Sequence, residues 1–415
     1  MKIRFIPFEK LPYADTCWSL IEGPDERAYV AACCERSSGG TVFVLRYDPR
    51  TEELEYLLDV AEAVGCPPDD GRGALDSTGA VPNHPRRATQ CKIHYSMVIG
   101  DDGVMYGATH LSGPAVGEVS YNPWATFDDP LRSFVGARLF AYDTRTEKVL
   151  WTDTLIPHEG CRCVALDQER RSLYAVGYPR DHFYVYDLGA RTRRDVGRIG
   201  SVNPQAVWLD SRNRAYTTDD YGRVVVYDPE REELTTTDAK APHAPYQDGW
   251  HNMVYDVVQV PGSDDVVGVN WNVDPYLFRL SPSTGTMTDL GPATPGIGGS
   301  GVRGVNTNHA GGLVFTAGGE LLFAVSRGDD YGDILPHAPA ALNVMNLETR
   351  RVREVCELVD EQGVVIPYIS RAVRIGREHL VLGTVSRTMA GIAHVVLDGE
   401  LAEGPWQGTP RRYWG

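Results

Sequence analysis

Apolar and polar residues alternate with a period of two along nearly the whole chain, in short runs that stop at Pro, Gly, Asp or Thr. This is the pattern of half-buried β-strands separated by tight turns. The runs return as a unit: a strand ending in Tyr-Asp, a polar turn, then another short strand. It reads FVLRYDPRTEELEYL at 43–57, LFAYDTRTEKVLWTD at 139–153, FYVYDLGARTRRDVG at 183–197 and VVVYDPEREELTTTD at 224–238. Weaker copies are YLFRLSPSTGTMTDLG at 276–291, LNVMNLETRRVREVCEL at 342–358 and AHVVLDGELAEG at 393–404. Two further strands precede each copy, as in CRCVALDQERRSLYAVGY. Each unit is therefore four strands over roughly 40–50 residues, and seven units predict an all-β, seven-bladed β-propeller of four-stranded antiparallel blades.

The expected blades lie near 10–60, 90–155, 159–198, 203–238, 250–291, 303–358 and 366–400, in one domain spanning 1–415. The last copy supplies about three strands. The strand at 2–8 is expected to complete that blade, closing the ring and removing its exposed edges. Two insertions break the regularity. Residues 58–90 join blades 1 and 2, and residues 111–137 interrupt blade 2 over the ligand face. The second insertion carries Tyr121, Trp124, Phe127 and Phe134, which favour an ordered lid. The best helical candidate, EYLLDVAEAVG, is short.

Composition narrows the partners. No run approaches the ~18 apolar residues that span a bilayer. The formal net charge of −16 argues against nucleic acid or an anionic membrane, both of which reward a basic face. A local Arg and His cluster can still receive a small acidic ligand. The eight cysteines are too sparse for a disulfide framework and have no zinc-site spacing, so they read as buried thiols. The opening MKIRFIPFEKLPYADTC lacks the apolar core of a secretory leader. The expected location is cytoplasmic, or secreted or periplasmic if a leader has been removed. The oligomeric state is left open.

Repetition separates scaffold from chemistry. Tyr47, Tyr142, Tyr186 and Tyr227 recur in the Tyr-Asp motif and serve the blade. In a propeller the innermost strands line the channel, so unusual polar residues there need another reason. His94 and His110 flank the GDDG turn at similar distances, which predicts that they stand opposite each other. Arg162 and Tyr178 repeat that spacing in blade 3, with Arg180 just beyond. His94, His110, Arg162, Tyr178 and Arg180 are the catalytic candidates. Lys92, Asn203, Gln205, Arg327 and Arg371 from the channel ends, with Tyr121 and Trp124 from the insertion, are candidates for substrate binding. His251, His309 and Asn308 are candidate ligands for a divalent cation, calcium or zinc, in the channel.

Histidines act as general base and acid near neutral pH, arginines clamp carboxylates, and a tyrosine can pass a proton. Together these suit β-elimination at a uronic acid, where the carboxylate must be neutralised before its α-proton leaves. The stretches KIHYSMVIGDDGVMYGATH and HEGCRCVALDQERRSLYAVGYPRDHFYVYD also resemble the seven-bladed propeller polysaccharide lyases, notably the ulvan lyases that cleave rhamnosyl–glucuronate bonds. That resemblance implies a His pair on blade 2 and a Tyr/Arg pair on blade 3 as the active site, an acidic carbohydrate as substrate, and room for a divalent ion in the channel. This chain departs from the pattern at Arg162, where an aromatic hydroxyl is expected; Tyr178 is the replacement at hand.

Structural readings stand beside these. The histidines could be hydrogen-bonded channel residues, Arg162 and Arg180 could bridge blades, and His251 and His309 could line the channel without metal. Tyr121 and Trp124 could pack the insertion onto the propeller instead of stacking on a sugar. As a whole, a metal-dependent propeller hydrolase or lactonase and a non-catalytic binding propeller are the competing functions.

Overall fold

The computed structural model describes residues 1–11, 14–34, 41–66, 90–111, 134–200, 203, 205–247, 249–271, 274–294, 308–327, 338–385, 390–405 and 412–415. The side chains of Asn308 and Arg327 fall outside this description. Strands in the described residues form seven four-stranded antiparallel sheets arranged as the blades of a ring. The innermost strands, in blade order, are Thr16–Glu22, Met97–Ile99, Gly160–Asp167, Trp208–Leu209, Val254–Gln259, Asn308–Phe315 and Ile369–Ile375. The strand Lys2–Pro7 pairs with Gly391–Val396, from Lys2 opposite Val396 to Pro7 opposite Gly391. The first strand of the chain thus completes blade 7, as the sequence predicts, and the ring closes.

The Tyr-Asp motif builds the outer hairpins of blades 1 to 4. The aspartate side chain caps its own turn: Asp48 accepts from the Arg50 N–H, Asp143 from Arg145 and Thr146, Asp187 from Gly189 and Ala190, Asp228 from Glu230. Asn346 does the same in blade 6. Four residues after each of these side chains the backbone turns left-handed, at Glu52, Glu147, Arg191, Glu232 and Arg350, and a glycine, Gly285, takes that place in blade 5. Asx side chains favour such turns because they satisfy backbone donors locally. The motif tyrosines are buried and three of them latch adjacent blades. Tyr47 meets His394 of blade 7, Tyr186 donates to Asp153 of blade 2, and Tyr227 accepts from Arg194 of blade 3.

Both insertions are described only at their ends. The outer strand of blade 1 runs to Asp59 and a single helical turn, Val60–Ala63, follows it. Asp59 caps that turn through the Glu62 N–H. The third strand of blade 2 starts at Gly136, leaving residues 112–133 outside the described part. No described helix is long and apolar enough to cross a membrane. All eight cysteines are free thiols.

Candidate active site

Bulges on the innermost strands create the site. In blade 3, Gly160 pairs with Tyr178, Cys161 with Gly177 and Cys163 with Val176, which leaves Arg162 unpaired between them. The ladder also slips between Thr16 and Ser19 in blade 1, between Val254 and Asp256 in blade 5 and between Ile369 and Arg371 in blade 7. A bulge re-aims the extra residue out of the alternating register. In blade 2 the pairing of Met97 with Gly107, continued evenly, would set His94 opposite His110. Instead His110 bridges to Lys92, donating its N–H to the Lys92 carbonyl at 2.6 Å. The expected direct opposition is therefore corrected by one slipped pair, yet the rings still meet. Their centroids lie 5.9 Å apart at 77°.

Blade 3 holds this pair in place. The Arg162 carbonyl accepts from His94 Nδ1 at 3.2 Å and from the Tyr95 N–H at 3.0 Å. A carbonyl can only accept, so the proton sits on Nδ1 of His94 and Nε2 carries the lone pair. The Arg162 guanidinium donates to His110 Nε2 at 3.3 Å and lies 5.4 Å from the Tyr178 ring. Tyr178 meets His110 edge-on at 5.2 Å. Trp18 stacks on His94 at 5.1 Å, and the Lys92 ammonium sits 5.2 Å from the Trp18 ring. His110 leans on bare backbone: a Cβ on Gly160 would come within 1.8 Å of its Nδ1. Gly160→Ala is therefore expected to displace His110, read as a shift of its imidazole resonances, with unchanged far-ultraviolet circular dichroism as the control.

The cluster is cationic and almost dry. Lys92 is 3% exposed, His94 1%, His110 2% and Arg162 8%, while Tyr178 is half-buried. Burial, reinforced by the Arg162 and Lys92 charges, drives the pKa of His94 well below the ordinary histidine value. Burial followed by the charges of Lys92 and Arg162 does the same to His110. Both imidazoles are thus neutral at pH 7. Among the described residues no carboxylate lies within ion-pair reach of Arg162, and its Nε has no hydrogen-bond partner. Lys92 lies beside this cluster.

Other candidates lie elsewhere. Arg180 is exposed and turns to Glu159, its Nε 3.6 Å from the carboxylate and its backbone N–H donating at 3.1 Å. Arg371 is a structural cation, 2.5 Å from Asp256 and stacked 3.5 Å over the Tyr95 ring. Gln205 donates to the Asn203 carbonyl at 3.0 Å, tying that loop to itself. His309 is wedged between Tyr255, at 4.0 Å and perpendicular, and Tyr368, stacked at 4.7 Å. Burial pushes its pKa down to about 3. His251 packs on Trp271 instead. Among the described residues no three His, Cys, Asp or Glu side chains gather as metal ligands, and the expected set of His251, His309 and Asn308 includes a side chain outside the described part. Tyr121 and Trp124, with the side chains of Arg327 and Asn308, fall outside the described part.

Sequence reasoning missed the aromatic floor of the site. Tyr95 donates to Tyr255 at 2.5 Å, and Tyr255 lies 3.4 Å from the Tyr368 hydroxyl. Residues 412–415 run in alongside: Leu166 donates to the Tyr413 carbonyl, Gly415 to the Val164 carbonyl, and Trp414 Nε1 to the Val257 carbonyl. Arg412 lies 3.7 Å from Asp256. Trp18 could have been found as another unrepeated residue at a channel strand, but residues 412–415 follow the last repeat and carry no pattern.

Ring closure and blade order make this chain a seven-bladed β-propeller. No protein family's sequence profile matches it, and no curated protein matches it. Solved structures of similar fold include the extracellular domain of a one-component system from B. thetaiotaomicron, with TM-score 0.58 and 15% identity, covering 96% of this chain and 40% of that one. The chain thus spans about two fifths of that neighbour. The WD40 repeats of RRP9 match with TM-score 0.57 and 12% identity over 96% of this chain and 98% of theirs. A catalytically inactive virginiamycin B lyase from Staphylococcus aureus with quinupristin matches with TM-score 0.58 and 11% identity over 96% of this chain and 99% of that one. At such identities the likeness is one of fold, and propellers host unrelated functions.

Proposed function

We propose that the chain is a polysaccharide or oligosaccharide lyase that cleaves a glycosidic bond to a uronic acid, of the glucuronate type, by β-elimination. One observation carries the reading. In an acidic protein, a nearly buried arginine is bonded to a neutral imidazole, with no carboxylate partner among the described residues. Burying a cation without a counter-anion is costly, and a substrate carboxylate beside Arg162 and Lys92 would relieve that cost. With the carboxylate neutralised, the proton on the adjacent carbon becomes acidic. His94 Nε2 takes that proton, and the released electron pair forms the carbon–carbon double bond. The bond to the β oxygen breaks as this forms, and the Tyr178 hydroxyl supplies the proton that the departing oxygen needs. His110, held by Arg162 and Gly160, orients Tyr178. No water is consumed, so one bond is lost and one double bond appears in the new chain end.

The test offers glucuronate-containing polysaccharides, rhamnosyl–glucuronate polymers among them, and follows the ultraviolet absorbance of the conjugated double bond. Elimination raises it, whereas hydrolysis yields new reducing ends without it. New reducing ends with no absorbance would replace this reading with a hydrolase.

A further inference from the structure

We propose that Tyr47, His394 and His379 form an acid-released clasp on the seam where the ring closes, between blades 1 and 7. Tyr47 stands on the third strand of blade 1, Phe43–Asp48, and His394 on the third strand of blade 7, Gly391–Val396. His379 opens the strand beside it, His379–Thr384.

The three side chains make one hydrogen-bonded line. The Tyr47 hydroxyl lies 3.0 Å from His394 Nδ1, and His394 Nε2 lies 3.0 Å from His379 Nδ1. A neutral imidazole has one N–H, so the line runs one way: Tyr47 donates to His394, which donates to His379, or both bonds reverse. One added proton leaves both bonds intact. Two do not, because the facing nitrogens of both imidazoles then carry hydrogens and the bond between them breaks.

The surroundings decide where protons go. Burial opposes charge on half-buried His379, but Glu378 and Asp48 face it and favour charge, while Arg50 opposes it. Asp48 already holds Arg50 at 3.2 Å and Arg27 at 3.1 Å. His394 is 2% exposed, and the groups facing it, His379, Arg4 and Lys2, are all basic. Burial and those neighbours hold its pKa down to about 4. Arg4 is the cross-strand partner of His394, and like charges on opposed residues repel.

That repulsion falls on the strand Lys2–Pro7. It is the outermost strand of its blade, hydrogen-bonded to a single neighbour, and it carries both cations. Arg4 ties it to Glu52 of blade 1, and Lys2 lies 3.9 Å from Glu361. Both pairs are exposed and contribute little. A strand that opens lets His394 be solvated and take its proton, whereas the closed strand refuses it. Closure is therefore firm above about pH 6.5, the ordinary histidine value, and weakens as the pH falls toward about 4.

Hydrogen exchange of the full chain tests the clasp, read by mass spectrometry on residues 2–7 against Arg223–Asp228 of blade 4. Protection is corrected for the intrinsic rate at each pH. Between about pH 7.5 and about pH 5, the histidine values above give residues 2–7 a loss of roughly 10- to 30-fold beyond that of blade 4. The blade 4 segment absorbs any acid effect of the channel histidines on the whole fold. His394→Gln keeps polar atoms at the seam without a titrating group, and there the extra loss should vanish. Parallel loss in the two segments, or an extra loss that survives in His394→Gln, would overturn the clasp. Where that variant fails to fold, the imidazole resonances of wild type decide, assigned by the shift that His379→Gln causes in its partner. His394 is expected to stay neutral at about pH 5, and titration near the ordinary value of about 6.5 overturns the clasp.

Discussion

Under the proposed lyase reading, His94→Ala is expected to lower kcat/KM by about 10²–10⁴-fold, the usual contribution of a positioned general base, measured as the initial rate of double-bond formation. His94 is selected over His110 because its lone-pair nitrogen is the one left uncommitted: Nδ1 is bound to the Arg162 carbonyl, whereas His110 Nε2 already accepts from Arg162. The Trp18 stack loses a partner in the alanine variant, so His94→Gln serves as the better-packed companion and should be equally inactive. Activity that survives in both variants would remove His94 from the mechanism. The pH profile adds a second readout. Burial and the cations hold His94 neutral to well below its ordinary value of about 6.5, so the acid limb of kcat/KM should lie below that value. Arg162→Met removes a positive neighbour and should move the acid limb upward while raising KM. The same depression affects stability. Below about pH 6.5 the unfolded chain takes up protons at His94 and His110 that the folded chain refuses, so stability is full at neutral pH and falls on acidification.

Arg371→Met is expected to cost about 3–5 kcal/mol of stability, read as a lower midpoint of chemical denaturation, because it strands a buried carboxylate. Asp256 and Arg371 are each about 1% exposed and 2.5 Å apart. Among the described residues, Asp256 would keep Arg412 and the N–H groups of Val257 and Leu313. The Tyr95 ring would lose the guanidinium stacked on it, and Tyr95 is the neighbour of His94. The double variant Arg371→Met with Asp256→Leu removes both charges and should recover part of the loss. An Arg371→Met protein as stable as wild type would mean that the channel floor draws its stability from the aromatic contacts and residues 412–415 instead.

Much of this was legible in the sequence. The Tyr-Asp copies reveal the blades because a local Asx turn and a two-residue alternation are written in contiguous residues. Closure by the strand at 2–7 was readable as a leftover strand meeting an incomplete last copy. His94, His110, Arg162 and Tyr178 stood out because they interrupt a repeat, and the structure gathers them. Arg180 and Arg371 stood out equally and serve ion pairs with Glu159 and Asp256. An unrepeated arginine looks the same in the sequence whether its partner is a substrate or a carboxylate from another strand.

What the sequence by itself determined is the architecture: strand period, turn chemistry and copy number depend on neighbours along the chain, and seven copies leave a ring as the way to pair every edge. Only the tertiary structure decided which side chains meet in the channel. A bulge of one residue turns Arg162 out of its ladder, and a two-residue slip sets Lys92, not His94, opposite His110. Partners such as Trp18 on His94, Gly160 under His110 and Gly415 beside Tyr95 come from different blades or from beyond the last repeat. Contacts between segments so distant along the chain follow no period, so their chemistry emerges when the ring closes.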